Sequence, residues 1–258
     1  MRVMMKLWAT VALTTTLLGA CATAATSPIA SAEPAPTIAT DPFASQRPTA
    51  AGAGVMQPSQ FARGSWINGS YIEHVTQFAI LPSRPGGIAM VGDSITDGFR
   101  WSEAFPDENI RNWGIGGDTS FGLLGRADQI IATRPAKIFI LIGTNDLASY
   151  EQTPTDVAGN VSALVTRFKA ELPTAEIYLQ SVMPRQPEFR QRIETLNAQL
   201  AAIAAAKGAK YIDIYTPLLS GDRLNPAYTI DDLHLTGQGY QRWLSVIGGC
   251  VTGDGPCE

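Results

Sequence analysis

Hydrophobic and polar residues follow two alternating patterns over most of the chain, and these patterns predict strands and helices in turn. Short, partly β-branched apolar runs bounded by turn residues predict strands at residues 87–91, 138–142, 177–182 and 211–215, with a weaker candidate at 109–115. Apolar residues at helical spacing predict helices at residues 65–81, 119–132, 154–172, 188–207 and 236–247. Strands that alternate with helices of this length indicate an α/β fold with a parallel sheet covered on both faces.

Residues 1–20 have the pattern of an export signal. Positive charge at Arg2 and Lys6 precedes an apolar stretch that is too short to span a bilayer comfortably, and this stretch ends in Leu-Gly-Ala-Cys at Cys21. The ending resembles the bacterial lipobox, in which the cysteine is lipidated and becomes the first residue. Cleavage near the small residues at 22–24 is the alternative. We predict a lipoprotein-type signal peptide with lipidation at Cys21.

The segment after the signal predicts a tether. Residues 21–54 are dominated by Ala, Thr, Pro and Ser and contain too few large apolar groups to fold alone. They precede a single predicted domain at residues 55–258. This order predicts an exported cell-envelope lipoprotein, at the outer membrane or the periplasmic face, whose contact with the membrane is its lipid anchor. A periplasmic or secreted protein is the alternative.

The number of cysteines indicates a disulfide near the C-terminus. The chain has 3 cysteines, so lipidation of Cys21 would leave Cys250 and Cys257 as a pair. The turn-rich residues 252–256 between them allow the two sulfur atoms to meet. Free thiols are the alternative, which an oxidising compartment disfavours.

Composition narrows the functional classes. The 258 residues, 45% hydrophobic and 16% charged, suffice for one α/β domain with a sizeable core. A net charge of −4 provides no basic surplus for a phosphate backbone, so we expect no nucleic-acid partner. The spacings Gly-x-Gly-x-x-Gly, Walker A, His-Glu-x-x-His and Cys-x-x-Cys do not occur, so we expect neither a cofactor nor a metal.

Polar clusters follow three of the predicted strands. Ser94 ends the sequence Gly-Asp-Ser after the first strand, Gly117 lies in Gly-Gly-Asp after the second, and Asn145 lies in Gly-Thr-Asn-Asp after the third. The carboxyl ends of parallel strands meet at one edge of a sheet, where active groups gather. A serine between a strand and a helix can be an exposed nucleophile, although a single serine in this position is more often a helix N-cap.

Of the 2 histidines, His234 has the setting of a catalytic base. Asp231 precedes it by three residues, so the carboxylate can curl back and hold the Nδ1 proton, which leaves Nε2 to accept the proton of Ser94. Asp232 is the rival orienting acid, but its spacing suits this contact less well. His74 lies on the predicted first helix without an acid-and-glycine setting, and we expect a structural or solvent-facing role for it.

Hydrogen-bond donors for an oxyanion are available at the same sheet edge. The backbone N–H of Ser94 is one donor, and the N–H of Gly117 suits a second because a glycine lets the backbone approach the reacting carbon. The side-chain amide of Asn145 can supply a third without adding charge. Tight turns for the glycines and a cap or an Asx turn for Asn145 are the alternatives when each residue is taken singly.

Taken together, these clusters resemble the four sequence blocks of the SGNH (GDSL-type) hydrolase family. The blocks occur in the family's order, with no departure at Ser94, Gly117, Asn145, Asp231 or His234. The resemblance implies a flavodoxin-like three-layer α/β/α sandwich with a five-stranded parallel sheet. It also implies metal-free ester hydrolysis, with Ser94, Asp231 and His234 as catalytic residues and Ser94, Gly117 and Asn145 as the oxyanion hole.

The leading hypothesis is a serine-dependent hydrolase of short acyl esters, acetyl above all, on cell-envelope or environmental glycans. The similarity is greatest to small esterases of the platelet-activating-factor acetylhydrolase and acetyl-sugar esterase types. No long apolar insertion that could form a fatty-acyl tunnel separates the blocks. A lysophospholipase or thioesterase-like lipase for longer chains is one alternative. A non-catalytic envelope lipoprotein that binds glycan or lipid is another, and a flavodoxin-like cofactor binder is a third.

Overall fold

The computed structural model describes residues 69–82 and 85–257. The predicted signal peptide at 1–20, the predicted lipidation site Cys21, the tether at 21–54 and the first residues of the predicted domain lie outside the described residues. None of the helices in the described ranges is long and apolar enough to cross a membrane.

Five parallel strands form the central sheet, in the order β2-β1-β3-β4-β5. The strands are β1 (Ile88–Gly92), β2 (Ile110–Gly114), β3 (Lys137–Leu141), β4 (Glu176–Gln180) and β5 (Lys210–Ile212). All five predicted strands are confirmed, and with them the α/β class. The strand order reverses direction at β1, which has β2 and β3 as neighbours. In such sheets, ligands bind outside the carboxyl ends of the strands at this switch point.

Helices precede, connect and follow the strands. In chain order they are α1 (Gly69–Ile80), α2 (Ser94–Asp97), α3 (Trp101–Ala104), α4 (Ser120–Gly125), α5 (Ala127–Ala132), α6 (Thr144–Ala148), α7 (Pro154–Glu171), α8 (Arg190–Lys207), α9 (Tyr215–Leu218) and α10 (Gly237–Thr252). A 3₁₀ turn, Pro187–Phe189, precedes α8. A small antiparallel hairpin of β6 (Leu219–Ser220) and β7 (Arg223–Leu224) follows α9.

Each face of the sheet has its own apolar core, because alternate residues of a strand point to opposite faces. On one face, Val91 and Ile140 pack with residues of α4, α5, α7 and α8. On the other, Met90 and Phe139 pack with Trp243 of α10. These strand residues are almost fully buried on both faces, as is usual for parallel sheets between two helical layers. The three-layer α/β/α sandwich is therefore confirmed.

Three predicted elements have wrong boundaries. The last helix, predicted at 236–247, is α10 and continues to Thr252. The predicted helix at 119–132 is two helices, since the chain turns at Arg126 and carries this side chain into the interior. The predicted strand at 211–215 ends at Ile212, because Ser181 Oγ accepts hydrogen bonds from the N–H groups of Ile214 and Tyr215, both at 2.9 Å. These bonds turn the chain into α9.

The predicted disulfide between Cys250 and Cys257 is confirmed, with the two Cα atoms 5.3 Å apart. It links the last turn of α10 to the residues that follow the helix. The Nζ of Lys137, at the start of β3, donates to the carbonyl oxygens of Cys250 and Val251, both at 2.9 Å. These carbonyls would otherwise be unpaired at the helix C-terminus, where a cation is also favoured by the helix dipole.

Candidate active site

Ser94 is the first residue of α2, and Asp93 separates it from the end of β1. The Asp93 side chain caps the helix, with Oδ1 accepting a hydrogen bond from the N–H of Ile95 at 3.0 Å. The turn lies close against the sheet, because a Cβ on Gly92 would be 2.3 Å from the carbonyl oxygen of Leu141. The cap and the glycine together fix the position at which the serine hydroxyl leaves the backbone.

His234 faces Ser94 from the loop that precedes α10. Its Nε2 lies 3.0 Å from Ser94 Oγ, and its Nδ1 lies 2.7 Å from Asp231 Oδ2. With the Nδ1 proton donated to the carboxylate, Nε2 is free to accept the serine proton. The three side chains form a hydrogen-bonded series that can move a proton away from the hydroxyl.

The Asp231 carboxylate is held by the loop in which it lies. Its Oδ1 accepts hydrogen bonds from the N–H groups of Leu233 at 3.0 Å and His234 at 2.7 Å. Although burial acts to raise the pKa of Asp231, the hydrogen bonds from the His234 side chain and from these two N–H groups lower it to about 2. The acid is therefore ionised at neutral pH and can orient the imidazole.

The side chain of Asp232 has a different partner from that of Asp231. Its φ is 58°, a left-handed conformation that is uncommon for a residue with a side chain. Its Oδ2 lies 3.8 Å from Nη1 of Arg223, on β7. Of the two candidate acids, the structure therefore brings Asp231 to the imidazole.

The site is open to solvent. The side chain of His234 is 48% exposed and that of Asp231 is 46% exposed. Ile230, immediately before Asp231, is 92% exposed. Solvent therefore reaches the imidazole and the carboxylate directly.

The loops after β2 and β3 meet at the edge of the sheet where β1 also ends. Gly117 has a φ of 78°, which favours glycine, and lies in the loop after β2. Asn145 Nδ2 donates to the carbonyl oxygen of Asp118 at 2.9 Å, which ties the two loops together. This bond uses one of the two amide hydrogens of Asn145. Among the described residues, no hydrogen bond uses the second hydrogen.

A buried arginine that our sequence analysis missed joins these loops to the sheet. Arg126 donates from Nε to Asp118 Oδ2 at 2.9 Å. Its Nη2 donates to the carbonyl oxygens of Trp113 at 2.8 Å and of Gly92 at 3.2 Å. Arg126 therefore contacts Gly92, the last residue of β1, and Asp118, the residue after Gly117. Its place among apolar residues at helical spacing, in Leu-Leu-Gly-Arg-Ala-Asp-Gln-Ile, was the available signal.

Two further carboxyl groups are buried near the site. Burial raises the pKa of Asp93 to about 7, and its Oδ2 has no hydrogen-bond partner among the described residues. Burial also raises the pKa of Asp146 to about 6, although its Oδ1 accepts hydrogen bonds from Ser120 Oγ at 2.6 Å and from Ser120 N–H at 3.0 Å. Asp146 follows Asn145, so its bond to Ser120 fixes the start of α6 against α4.

The other histidine, His74, lies on α1 and has a separate set of contacts. Its Nε2 is 3.3 Å from Asp97 Oδ1, and its Nδ1 is 2.8 Å from the carbonyl oxygen of Ser70. Local sequence pattern does not indicate this acid, because Asp97 lies on α2, far from His74 along the chain. Within the described ranges, no group of three or more His, Cys, Asp or Glu side chains could hold a metal ion.

Comparison with known families gives a match over most of the folded part. The model of the GDSL-like lipase/acylhydrolase family matches residues 90–242. The matched range runs from β1 into α10 and includes all five residues assigned to the site from the sequence. The match covers more than half of the chain.

Individual proteins agree with this match. The chain is 30% identical, over 167 residues, to platelet-activating factor acetylhydrolase IB subunit alpha2 of Rattus norvegicus, covering 60% of this chain and 71% of the relative. It is 29% identical to the crystal structure of a GDSL-like lipase from Bacteroides thetaiotaomicron, with a TM-score of 0.62, covering 71% of this chain and 98% of that chain. An acetyl-xylooligosaccharide esterase from Geobacillus shares the fold at 20% identity, with a TM-score of 0.52 and coverage of 63% and 93%.

Proposed function

Because this chain belongs to the GDSL-like lipase/acylhydrolase family and is an ester hydrolase, we propose that it is a serine esterase for short acyl groups, acetyl above all. The observation that carries the proposal is the hydrogen-bonded series from Ser94 Oγ through His234 to Asp231, at 3.0 Å and 2.7 Å. A serine hydroxyl becomes a useful nucleophile at neutral pH when a positioned base takes its proton.

The proposed reaction has two halves. Ser94 Oγ attacks the ester carbonyl carbon while its proton moves to His234 Nε2. The imidazolium, stabilised by Asp231, then gives this proton to the departing alcohol, and an acyl-enzyme remains on Ser94. In the second half, His234 takes a proton from water, the resulting hydroxide attacks the acyl-enzyme, and the proton returns to Ser94 as the carboxylic acid leaves.

Three donors would stabilise the negative oxygen of each tetrahedral intermediate. They are the backbone N–H groups of Ser94 and Gly117 and the second amide hydrogen of Asn145. The bond between Asn145 Nδ2 and the carbonyl oxygen of Asp118 supports this role, because it fixes the amide without using both hydrogens. Donors that are positioned before the reaction need no reorganisation when the charge develops.

Support for short acyl groups comes from the relatives and from the connections at the sheet edge. The relatives with about 30% identity are named acetylhydrolases. The β2–α4 and β3–α6 connections consist of a few residues each, so neither provides an apolar lid. A buried acyl chain contributes about 0.8 kcal/mol per methylene, which only an extended apolar groove can provide.

One observation favours hydrolysis of longer acyl chains as a second candidate function. Ile230 is 92% exposed and directly precedes Asp231, so the rim of the site offers an apolar side chain to the solvent. A lysophospholipase could use such a rim without an enclosed tunnel. Rates with p-nitrophenyl acetate, butyrate, octanoate and palmitate separate the two candidates. We expect the largest kcat/KM with acetate, and a maximum at octanoate or longer would replace the acetylesterase proposal with the second candidate.

The serine mechanism is tested with Ser94→Ala. We expect the rate of p-nitrophenyl acetate hydrolysis to fall at least about a thousandfold, with loss of labelling by a fluorophosphonate probe and an unchanged circular dichroism spectrum. Ser102→Ala removes an exposed hydroxyl on α3 and serves as the matched control, with full activity and labelling. Undiminished labelling of the Ser94→Ala protein would contradict the assignment of the nucleophile.

A further inference from the structure

One cationic side chain at the edge of the site has no part in the proposed chemistry. Arg185 lies in the connection between β4 and α8, and its Nη1 donates to Thr144 Oγ1 at 3.1 Å. Thr144 directly precedes Asn145. The next residue, Gln186, donates from Nε2 to the carbonyl oxygen of Asp231 at 3.2 Å. The Arg185 guanidinium therefore lies between the loop of the proposed oxyanion donor and the loop of the proposed catalytic acid.

The close contacts of Arg185 are with uncharged groups. Besides the bond to Thr144, its Nε donates to Gln186 Oε1 at 2.8 Å, and its guanidinium carbon lies 4.2 Å from the centroid of the Phe189 ring. Within the described ranges, no carboxylate forms an ion pair with Arg185 and its Nη2 makes no hydrogen bond. These contacts hold the guanidinium in place and leave its charge without a close counter-charge.

The half-buried Arg185 guanidinium has only distant counter-charges among the described residues. Burial lowers the pKa of the Arg185 guanidinium below its usual range, against the opposite influence of Glu188, Asp93 and Asp231. Those three carboxyl groups act from a distance, and Asp231 is already bonded to His234. An anion that reached the free Nη2 would supply the missing counter-charge.

The geometry of a guanidinium indicates which anions would suit it. Its planar N–H groups match the paired oxygens of a carboxylate or a phosphate, and such charge-assisted hydrogen bonds are stronger than neutral ones. The ring of Phe189 packs against the guanidinium of Arg185 and restricts its motion, so less side-chain entropy is lost when an anion binds.

We propose that Arg185 forms a subsite for a carboxylate or phosphate on the alcohol part of the substrate. This inference rests on the proposed function, because an acetyl group carries no charge and the anion must then belong to the alcohol. The substrate class is therefore an acetyl ester of an acidic alcohol, such as a carboxylated sugar or a phosphorylated polyol. The open site accommodates such an alcohol, since His234 and Asp231 are about half exposed.

Two pairs of esters test the proposal and separate the two anions. The carboxylate pair is 3-acetoxybenzoate and the neutral 3-acetoxybenzamide. The phosphate pair is 1-acetylglycerol 3-phosphate and the neutral 1-acetylglycerol. The measured quantity is the ratio of kcat/KM for the charged ester to that for the neutral ester. We expect a ratio above one in at least one pair, falling as salt is added.

Substitutions of Arg185 test whether this residue causes the preference for the charged ester. Arg185→Gln is expected to lower the ratio about tenfold, the effect of losing one charge-assisted hydrogen bond, whereas Arg185→Lys retains part of it. Arg190→Gln removes a cation that is exposed on α8 and paired with Glu194, and it is the matched control with an unchanged ratio. Use of a ratio cancels any effect of Arg185 on Thr144 and the neighbouring Asn145, which would act on both esters alike.

Failure of this inference is distinguishable from failure of the proposed function. A Ser94-dependent enzyme with equal rates for charged and neutral esters, or with a ratio that Arg185→Gln leaves unchanged, would overturn the Arg185 subsite alone. Loss of acetyl ester hydrolysis altogether would overturn the proposed function. In that event, calorimetric binding of the same esters to the Ser94→Ala protein decides the subsite: tighter binding of a charged ester that requires Arg185 supports it, and equal binding contradicts it.

Discussion

At the scale of single residues, the neighbours Asp231 and Asp232 differ in what their carboxylates contact. The first lies 2.7 Å from His234 Nδ1, and the second lies 3.8 Å from Arg223. We expect Asp231→Asn to lower kcat about ten-thousandfold, because the amide favours the wrong imidazole tautomer. Asp232→Asn should change kcat less than about threefold, since it removes only a partly exposed ion pair with Arg223. Steady-state kinetics of the two variants shows which substitution lowers kcat more. A larger loss in Asp232→Asn would contradict the assignment of Asp231 as the orienting acid.

Protonation of single residues also determines the pH profile. In the proposed mechanism only neutral His234 can accept the serine proton, so kcat/KM should rise with increasing pH when it is measured from about pH 6 to 8. Asp231, with a pKa of about 2, is ionised throughout this range and contributes no change. Asp93, whose pKa burial raises to about 7, titrates within it.

The Asp93→Asn variant separates the contributions of His234 and Asp93 to the pH profile. Asparagine keeps an oxygen that can accept the capping hydrogen bond of α2, but it cannot ionise. We expect the rise in kcat/KM to persist in this variant with an unchanged midpoint. A flat profile would assign the pH dependence to Asp93 instead of His234. Progress curves for p-nitrophenyl acetate at constant ionic strength provide the measurement.

The individual residues show how far the sequence predicts a site. Ser94 and His234 could be predicted because each occurs in a short motif, and for Asp231 the spacing to the histidine was informative. Arg126 and Arg185 act through contacts between segments that are far apart in the chain. Local sequence pattern does not encode such contacts, so the roles of these two arginines emerged only from the three-dimensional structure.

At the scale of secondary-structure elements, Arg126 joins the ends of two strands. It bonds to the carbonyl oxygens of Gly92 and Trp113, the first on β1 and the second on β2, and pairs with the buried Asp118. We expect Arg126→Met to lower the free energy of unfolding by about 3–5 kcal/mol, because Asp118 is left buried without its counter-charge. Adding Asp118→Asn should restore part of this loss.

Urea denaturation of the single and double variants measures these free energies. Arg167→Met is the matched control, because Arg167 on α7 pairs with Asp128 and Glu171 at partly exposed positions and should cost less than about 1 kcal/mol. An equal loss in the Arg126→Met and Arg167→Met proteins would show that the buried pair has no special role in joining the strands.

The strands were predictable because each is a short apolar run bounded by turn residues. The long helices were predictable because their hydrophobic spacing extends over many residues, as in α7 and α8. The break between α4 and α5 was not predictable, because the hydrophobic spacing continues through Arg126. Only the hydrogen bonds of the buried Arg126 side chain require the chain to turn there. The hairpin of β6 and β7 was also missed. Strands of two residues are too short for an alternating pattern to appear.

At the scale of the whole molecule, the predicted attachment to the envelope depends on a single cysteine outside the described residues. We propose that lipid on Cys21 anchors the protein and that the segment after it carries the folded domain away from the bilayer. Cys21→Ser should then move the protein from the membrane fraction to the soluble fraction, because a lipid anchor supplies the binding energy. Immunoblots of the fractions, with Cys257→Ser as control, test this, and an unmodified terminus beyond Cys21 in the mass spectrum would contradict it.

The crowding around the strand-end glycines limits how far this sequence can diverge during evolution. A methyl group on Gly92 would lie 2.3 Å from the carbonyl oxygen of Leu141, and one on Gly114 would lie 2.2 Å from the nitrogen of Asp97. At Gly116 the nearest atom, Ser70 Oγ, would be 3.7 Å away. Purifying selection should therefore retain the first two glycines even in descendants that have lost hydrolysis, whereas Gly116 can drift. Persistence of the first two in a distant homologue is thus evidence of a shared backbone and not of a shared reaction.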